Sequence, residues 1–376
     1  MKIGVPAESD PQETRVAASP ETAKKFIALG ADVLVAAGAG VKAGVPDADF
    51  AAAGARIVAQ DEALGADIVL KVRRPDAAET AKLAKGAMVV ALMDPYGHQD
   101  ALGALARADV AAFAMELLPR ITRAQGMDVL SSQANLAGYR AVIDGAAEFG
   151  RALPMMMTPA GTVPAARIFI MGVGVAGLQA IATARRLGGV VTATDVRPAT
   201  KEQVESLGAK FVAVEDDEFK LAETAGGYAK EMSDAYKAKQ AALVAAHIAK
   251  QDIVITTALI PGRPAPKLVS ADMVGSMRAG SVLIDLAVER GGNVEGARLG
   301  TTVTSANGAK IVGDSNVTRL AATASALYAR NLYAFVETLI DKPSKAIAVK
   351  WDDELVKATL LTRDGSVVHP NFVAKG

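Results

Sequence analysis

Ile168-Phe169-Ile170-Met171-Gly172-Val173-Gly174-Val175-Ala176-Gly177 is the stretch on which the fold turns. Four apolar residues with the character of a buried strand run into three glycines at G-x-G-x-x-G spacing, and a helical pattern follows. In that setting the glycines supply a tight turn, close backbone approach to a pyrophosphate, and close packing of helix on strand. The phosphates would lie on the helix amino terminus, where free N–H groups and the helix dipole stabilise negative charge. Alone the spacing is a weak signal, since glycine-rich turns often serve only packing. Asp195 strengthens it. It ends the next strand, 18 residues after Gly177, where a carboxylate can accept from both ribose hydroxyls and repel a 2′-phosphate. That favours NAD over NADP. An arginine can accept a 2′-phosphate, but Arg197 reads more simply as a cation near the pyrophosphate or on the surface.

Working outward, the strands of this sheet read as Ile168–Met171, Val190–Thr194, Phe211–Val214, Ile253–Thr256, Val282–Leu286 and Ile311–Val312, enough for a complete dinucleotide-binding domain. Earlier apolar runs at Ile3–Val5, Val33–Ala36, Ile68–Val72, Met88–Leu92 and Val110–Met115 alternate with helical patterns, the rhythm of a second parallel sheet. Ser19 suits a helix N-cap, Pro20 the first helical position, and Gly30 the residue after the last turn. Leu64-Gly65-Ala66, Leu187-Gly188-Gly189 and Leu207-Gly208-Ala209 repeat the joint at Gly30, with positive φ expected at each glycine. The expected architecture is α/β: two Rossmann-like, doubly wound parallel-sheet domains joined by long helices. One domain takes residues 1–130 with 320–376, and the NAD(H)-binding domain takes 131–319. The joining helices are expected over Asn135–Arg151 and near Leu320–Ile340. The tail reads as strands at Ala346–Trp351 and Ala358–Leu361, with an Asp364-Gly365 turn before Val367-Val368.

Gly38-Ala39-Gly40-Val41-Lys42-Ala43-Gly44 resembles a second phosphate turn. Pro46 and Asp47 follow at once, so it is read as a loop with no helix behind it. One dinucleotide site remains. Thr256-Thr257-Ala258-Leu259-Ile260-Pro261-Gly262 lies at the carboxyl end of a strand, where ligands bind, and is equally a strand running into a turn. Gly226-Gly227-Tyr228-Ala229-Lys230-Glu231-Met232 sits in a long charged insert that fits a mobile lid or a solvated helix pair equally well.

Composition narrows the function. The 41 Lys and Arg balance 41 Asp and Glu, which argues against a nucleic-acid footprint. Without cysteine, and with His98, His247 and His369 scattered, there is no disulfide framework and no metal motif. Ile168 to Ala184 is 17 residues without a charge, but its glycines and flanking arginines fit strand, turn and helix better than a span of about 20 residues. The opening Met1-Lys2-Ile3-Gly4-Val5-Pro6 lacks the apolar stretch of a signal peptide, so the expected place is the cytoplasm.

The run Met115-Glu116-Leu117-Leu118-Pro119-Arg120-Ile121-Thr122-Arg123-Ala124-Gln125-Gly126-Met127-Asp128-Val129-Leu130-Ser131-Ser132-Gln133-Ala134-Asn135-Leu136-Ala137-Gly138-Tyr139-Arg140 resembles the signature of the NAD(H)-binding component of proton-translocating transhydrogenases. The glycine fingerprint, the Gly226–Met232 segment and Thr362-Arg363-Asp364-Gly365 are similar too, so the resemblance spans the chain. It implies that Arg120, Gln125, Asp128 and Ser131 hold the nicotinamide, with Gln125 reaching toward the partner's nucleotide. It implies NAD contacts from Val175, Asp195, Val196, Arg197, Gly227, Gln240 and Leu259, and places Tyr228 at the lid tip. It further implies a homodimer, an NADP(H)-binding partner domain, a proton-conducting membrane subunit, and a position peripheral to the inner membrane through those partners.

Residue chemistry agrees with this division of labour. Direct hydride transfer between nicotinamides needs reacting carbons held roughly 3–3.5 Å apart in a dry site, and no proton acceptor. Arg120 and Asp128 could lock their loop by charge-assisted hydrogen bonding, while Gln125 can donate and accept across an interface. Without the resemblance, a polar loop capping a helix that starts near Ser132 is the simpler account. The rival is an alanine dehydrogenase, whose substrate-holding pattern is matched by Arg15 and Lys71. That enzyme has a catalytic histidine at the end of the fourth strand, where this chain has Leu92 and Met93. His98 comes several residues late, a poor substitute for a general acid/base. An NAD-sensing module is the non-enzymatic alternative.

Overall fold

Long apolar runs become the central strands of two sheets because both of their faces are covered. The computed structural model describes residues 1–220 and 232–373. The chain divides into two units, Met1–Gln133 with Thr318–Gly376, and Ala134–Val317.

The first unit carries eight strands, in the order Ser366–Val367, Leu360–Arg363, Ala111–Ala114, Met88–Leu92, Ile68–Arg73, Lys2–Val5, Asp32–Ala36, Arg56–Val58. The six from Lys2 to Ala114 are parallel, and helices or helical turns bridge successive strands. The tail strands join antiparallel at one edge. Chain progression reverses between Lys2–Val5 and Ile68–Arg73, the topological switch point of a doubly wound sheet. Ile68, Val69, Leu70, Val89, Val90 and Ala91 are wholly buried. Among them sits a buried charge, Lys71, at the carboxyl end of its strand.

The second unit carries seven strands in the order Lys210–Phe211, Val190–Thr194, Arg167–Met171, Ile253–Thr256, Val282–Asp285, Lys310–Val312, Thr302–Thr304, of which the last is antiparallel. Its switch point falls between Arg167–Met171 and Ile253–Thr256. Strand alternation assigns successive side chains to different cores. Ile168 and Ile170 share one with Ala180 and Ile181 of helix Val175–Arg186. Phe169 and Met171 share another with Val244 and Ile248 of helix Asp234–Ile248. The α/β architecture is therefore met in both units.

Several local expectations change. Ser19 does cap helix Pro20–Ala28, accepting from the Thr22 N–H. Positive φ occurs at Gly30, Gly188 and Gly208 but not at Gly65, which stays at −80° because its helix ends without a left-handed residue. A helix does begin after Pro46, at Asp47–Ala52, and the Asp47 carboxylate accepts the Gly38 N–H, so the loop's own side chain takes an anion's place there. The helix expected over Asn135–Arg151 starts earlier and runs Val129–Glu148. Helix Ala321–Val336 lies wholly within the first unit. In the tail, Ala346–Trp351 forms only the short strand Ala346–Ile347. Ala358 and Thr359 close helix Glu354–Thr359 before strand Leu360–Arg363, a helix set by its Asp353 cap. Hairpin Met156–Thr158/Gly161–Val163 adds a small sheet that the sequence pattern does not announce. Among the described residues no helix is long and apolar enough to cross a membrane.

Candidate functional site

The glycine turn lies at the switch point of the second sheet. Gly172 has φ of +102°, and a Cβ there would sit 2.6 Å from the Thr257 Oγ1. A Cβ on Gly177 would lie 1.9 Å from the Gly172 carbonyl oxygen, so helix Val175–Arg186 can approach its strand this closely only with glycine at that point. At Gly174 nothing stands within 4 Å of an added Cβ, leaving the turn open on that side. The helix has no side-chain cap, so its first N–H groups face the open turn. These features fit a dinucleotide pyrophosphate.

The neighbouring strand end is tied to the turn. Thr257 Oγ1 donates to the Gly172 carbonyl at 3.0 Å. Asn293, wholly buried, accepts from the Ala258 N–H at 3.0 Å and donates to the Ala258 and Pro266 carbonyls at 2.9 and 2.8 Å. Asn293 thus grips the segment that leads to Leu259, a positioning role that no local motif signals. Leu259, Val175 and Val196 are large apolar side chains left exposed, each at the carboxyl end of its strand or just beyond. Gln240 reaches in from helix Asp234–Ile248, accepting from the Val214 N–H at 2.9 Å and donating to Thr194 Oγ1 at 3.3 Å.

Asp195 stands at the end of Val190–Thr194 and holds the turn through the Val173 N–H at 2.7 Å. Arg197, read from sequence as a pyrophosphate or surface cation, instead pairs with Asp195, its Nε 2.9 Å from Oδ1 and its Nη2 2.9 Å from Oδ2. Gly227 and Tyr228 lie outside the described residues.

The Arg120–Ser131 segment belongs to the first unit, where Thr122–Met127 forms a 3-10 turn. Asp128 does not lock onto Arg120. Its carboxylate accepts the Ser131 N–H at 2.8 Å and the Ser131 hydroxyl at 2.5 Å, so this pair caps helix Val129–Glu148. Arg120 and Gln125 are exposed, while Ala124 and Met127 anchor the turn in the core. Sequence reasoning missed two supports. Arg123 forks onto Asp353 at 2.9 and 2.6 Å, and Asn331 donates to the Gly126 carbonyl at 2.9 Å while accepting from Ser132 Oγ at 2.7 Å. Both bridge more than 190 residues of sequence, beyond the reach of a spacing rule.

At the first unit's own switch point lies a buried ionic network. Arg15 forks onto Glu13 and donates to Gln133, and Lys71 contacts Glu79 at 2.8 Å and Glu8 at 3.3 Å. Burial raises the Glu8 carboxyl above its ordinary value, against the pull of Lys71. Beyond Met88–Leu92, Asp94 adopts φ of +45°, with its N–H and that of Met93 donated to Glu116. Arg74 holds both their carbonyls. His98 is half-exposed, its Nε2 3.3 Å from Asp94 Oδ2.

Comparison with known proteins agrees with this layout. The family model for the alanine dehydrogenase/PNT N-terminal domain matches residues 4–137, and that for the C-terminal domain matches 141–370. A Rhodospirillum rubrum protein, the first of the pieces into which its NAD(P) transhydrogenase subunit alpha is divided, is 54% identical over 384 aligned positions, covering 100% of both chains. A Mycobacterium tuberculosis alanine dehydrogenase is 32% identical over 79% of this chain and 75% of its own. A solved transhydrogenase from Sinorhizobium meliloti superposes with a TM-score of 0.90 at 60% identity, covering 98% of this chain and 100% of that one. With both units matched in order and the dinucleotide turn in place, the chain belongs to the alanine dehydrogenase/PNT family, among relatives named NAD(P) transhydrogenase subunit alpha.

Proposed function

We propose that this chain is the NAD(H)-binding component of a proton-translocating transhydrogenase, exchanging a hydride with NADP(H) held by a partner polypeptide. The observation that carries the reading is the end-to-end likeness, at 54% identity, to the Rhodospirillum rubrum transhydrogenase alpha chain. In this reading Gly172, Gly174, Gly177 and the first turn of helix Val175–Arg186 hold the pyrophosphate. Asp195 takes the adenosine ribose, with Val175, Val196, Arg197, Gly227, Gln240 and Leu259 around the nucleotide and Tyr228 on the lid. The bound nicotinamide supplies or accepts the hydride. The chain's own residues have only to hold and orient it: Arg120 and Gln125 present exposed donors, and the Asp128–Ser131 cap fixes the loop that carries them. Among the described residues one strand end has such a glycine turn, which supports the need for a partner bringing the second nucleotide. Partner subunits would also supply the membrane crossing and the proton path, with two copies of this chain assembling as a homodimer.

The dehydrogenase reading is weakened at the end of Met88–Leu92, where buried Met93 and strained Asp94 stand in place of a histidine. Purified chain mixed with a soluble NADP-binding partner should move hydride from NADH to NADP, and should form no NADH from NAD and alanine. Alanine-dependent NADH formation would overturn the proposal, and silence in both assays would leave an NAD-sensing module. Gln125→Asn should slow hydride transfer while NADH affinity stays within about twofold, as for a group that orients without anchoring; an unchanged rate removes Gln125 from the site.

A further inference from the structure

Asp195 is the carboxylate to which the preceding reading assigns the adenosine ribose, and its acceptors are already committed. Oδ2 accepts from the Val173 N–H at 2.7 Å and from Arg197 Nη2 at 2.9 Å. Oδ1 accepts from the Arg197 N–H and from Arg197 Nε, both at 2.9 Å. Four donors on two oxygens fill a carboxylate's lone-pair sites. The guanidinium lies along both oxygens as a fork, offering the two donors that vicinal hydroxyls would have to replace. Its Nη2 also reaches the Val173 carbonyl at 3.2 Å. The Asp195 side chain is 7% exposed and that of Arg197 32%, so the arginine is the member that water can reach.

We propose that Arg197 is a specificity-determining counter-ion that masks Asp195, so that a ribose is admitted by displacing the guanidinium and a 2′-phosphate is met by a neutral pair. This rests on reading the second unit as the NAD(H) site. Two ribose hydroxyls can replace Nε–H and Nη2–H one for one, leaving the Val173 and Arg197 backbone donors in place. The displaced side chain stays tethered, because the Arg197 N–H bonds to Asp195 and the Arg197 carbonyl accepts from Thr200 N and Oγ1. A 2′-phosphate brings no donor and cannot take over the carboxylate. The charge that should repel it is cancelled as long as Arg197 stays paired. Masking therefore costs NADH affinity and softens the refusal of NADPH.

The test is direct binding of NADH and NADPH to the full chain, read by nucleotide fluorescence and by calorimetry, for wild type, Arg197→Ala and Arg197→Lys. Removing the guanidinium should tighten NADH by about two- to fivefold, the worth of a partly exposed ion pair. It should weaken NADPH, so that the ratio of the two dissociation constants rises by about tenfold. Arg197→Lys should fall between, because an ammonium neutralises without forking, and it guards against a misfolded alanine variant. Weaker NADH binding in Arg197→Ala would make Arg197 a nucleotide ligand and overturn the mask, as would unchanged affinity for both. Absence of saturable NADH binding in the wild type would instead remove the nucleotide site itself.

Discussion

Gly138→Ala sets two effects of opposite sign against each other. Within a helix this change normally stabilises by about 0.5–1 kcal/mol, because glycine loses more backbone freedom on folding. Gly138, inside helix Val129–Glu148, is buried against the nucleotide turn. A Cβ there would sit 2.0 Å from the Ala176 carbonyl oxygen, 2.8 Å from its carbon and 2.9 Å from its Cα. Ala176 is in the first turn of helix Val175–Arg186, between Gly174 and Gly177. The obstacle is backbone, which cannot rotate aside as a side chain does. Overpacking of this kind costs about 1–3 kcal/mol, so the clash outweighs the propensity gain and the net loss is about 1–2 kcal/mol. For a domain of this size that lowers the unfolding midpoint by roughly 2–8 °C. The displaced turn should also weaken NADH by about tenfold, equivalent to about 1.4 kcal/mol. Thermal unfolding followed by circular dichroism, with NADH titration by fluorescence, measures both. Gly145→Ala in the same helix is the control, since its Cβ meets only side-chain atoms of Ile253 and Ile284, at 3.2 and 3.5 Å, and should change stability by less than about 1 kcal/mol. A more stable Gly138→Ala with unaltered NADH binding would refute the packing argument.

Two further outcomes follow from other parts of the chain. Asn293→Ala strands the Ala258 N–H and the Ala258 and Pro266 carbonyls; it should cost about 2–4 kcal/mol in denaturant unfolding and weaken NADH binding, and a loss below about 0.5 kcal/mol would sink the clamp. Glu21 is held down from 4.5 to about 2, first by its hydrogen bond from Arg330 and then by that from Lys25. A depressed carboxylate contributes stability above its unfolded value and loses it as pH falls toward the folded one. The gap between wild type and Glu21→Gln should therefore narrow as pH drops from 4.5 toward 2. Because the pair is half-exposed, that gap should stay under about 1 kcal/mol at neutral pH and shrink in salt; a pH-independent gap in unfolding titrations would count against it.

The legible parts of the site were local ones. Gly172, Gly174 and Gly177 announce their turn because each requirement acts between near neighbours, and Ser19 announces a helix start for the same reason. The tail misled because Ala358 and Thr359 have strand-like neighbours, while the Asp353 cap commits them to a helix. Asp128 looked like a loop lock, yet its nearest donors are three residues on, and capping takes it. Arg123 with Asp353 and Asn293 with Ala258 could not be read at all, since each pair meets only after the sheet order brings distant segments together.

Sequence alone determined two doubly wound parallel sheets and a single glycine turn suited to a dinucleotide, because hydrophobic period, glycine position and helix caps are short-range constraints. Tertiary structure alone decided which donors surround Asp195, what anchors the Arg120–Ser131 loop and where Lys71 finds its carboxylates. Hydrogen-bond and ion-pair partners are chosen by proximity in space, and burial makes each choice obligatory.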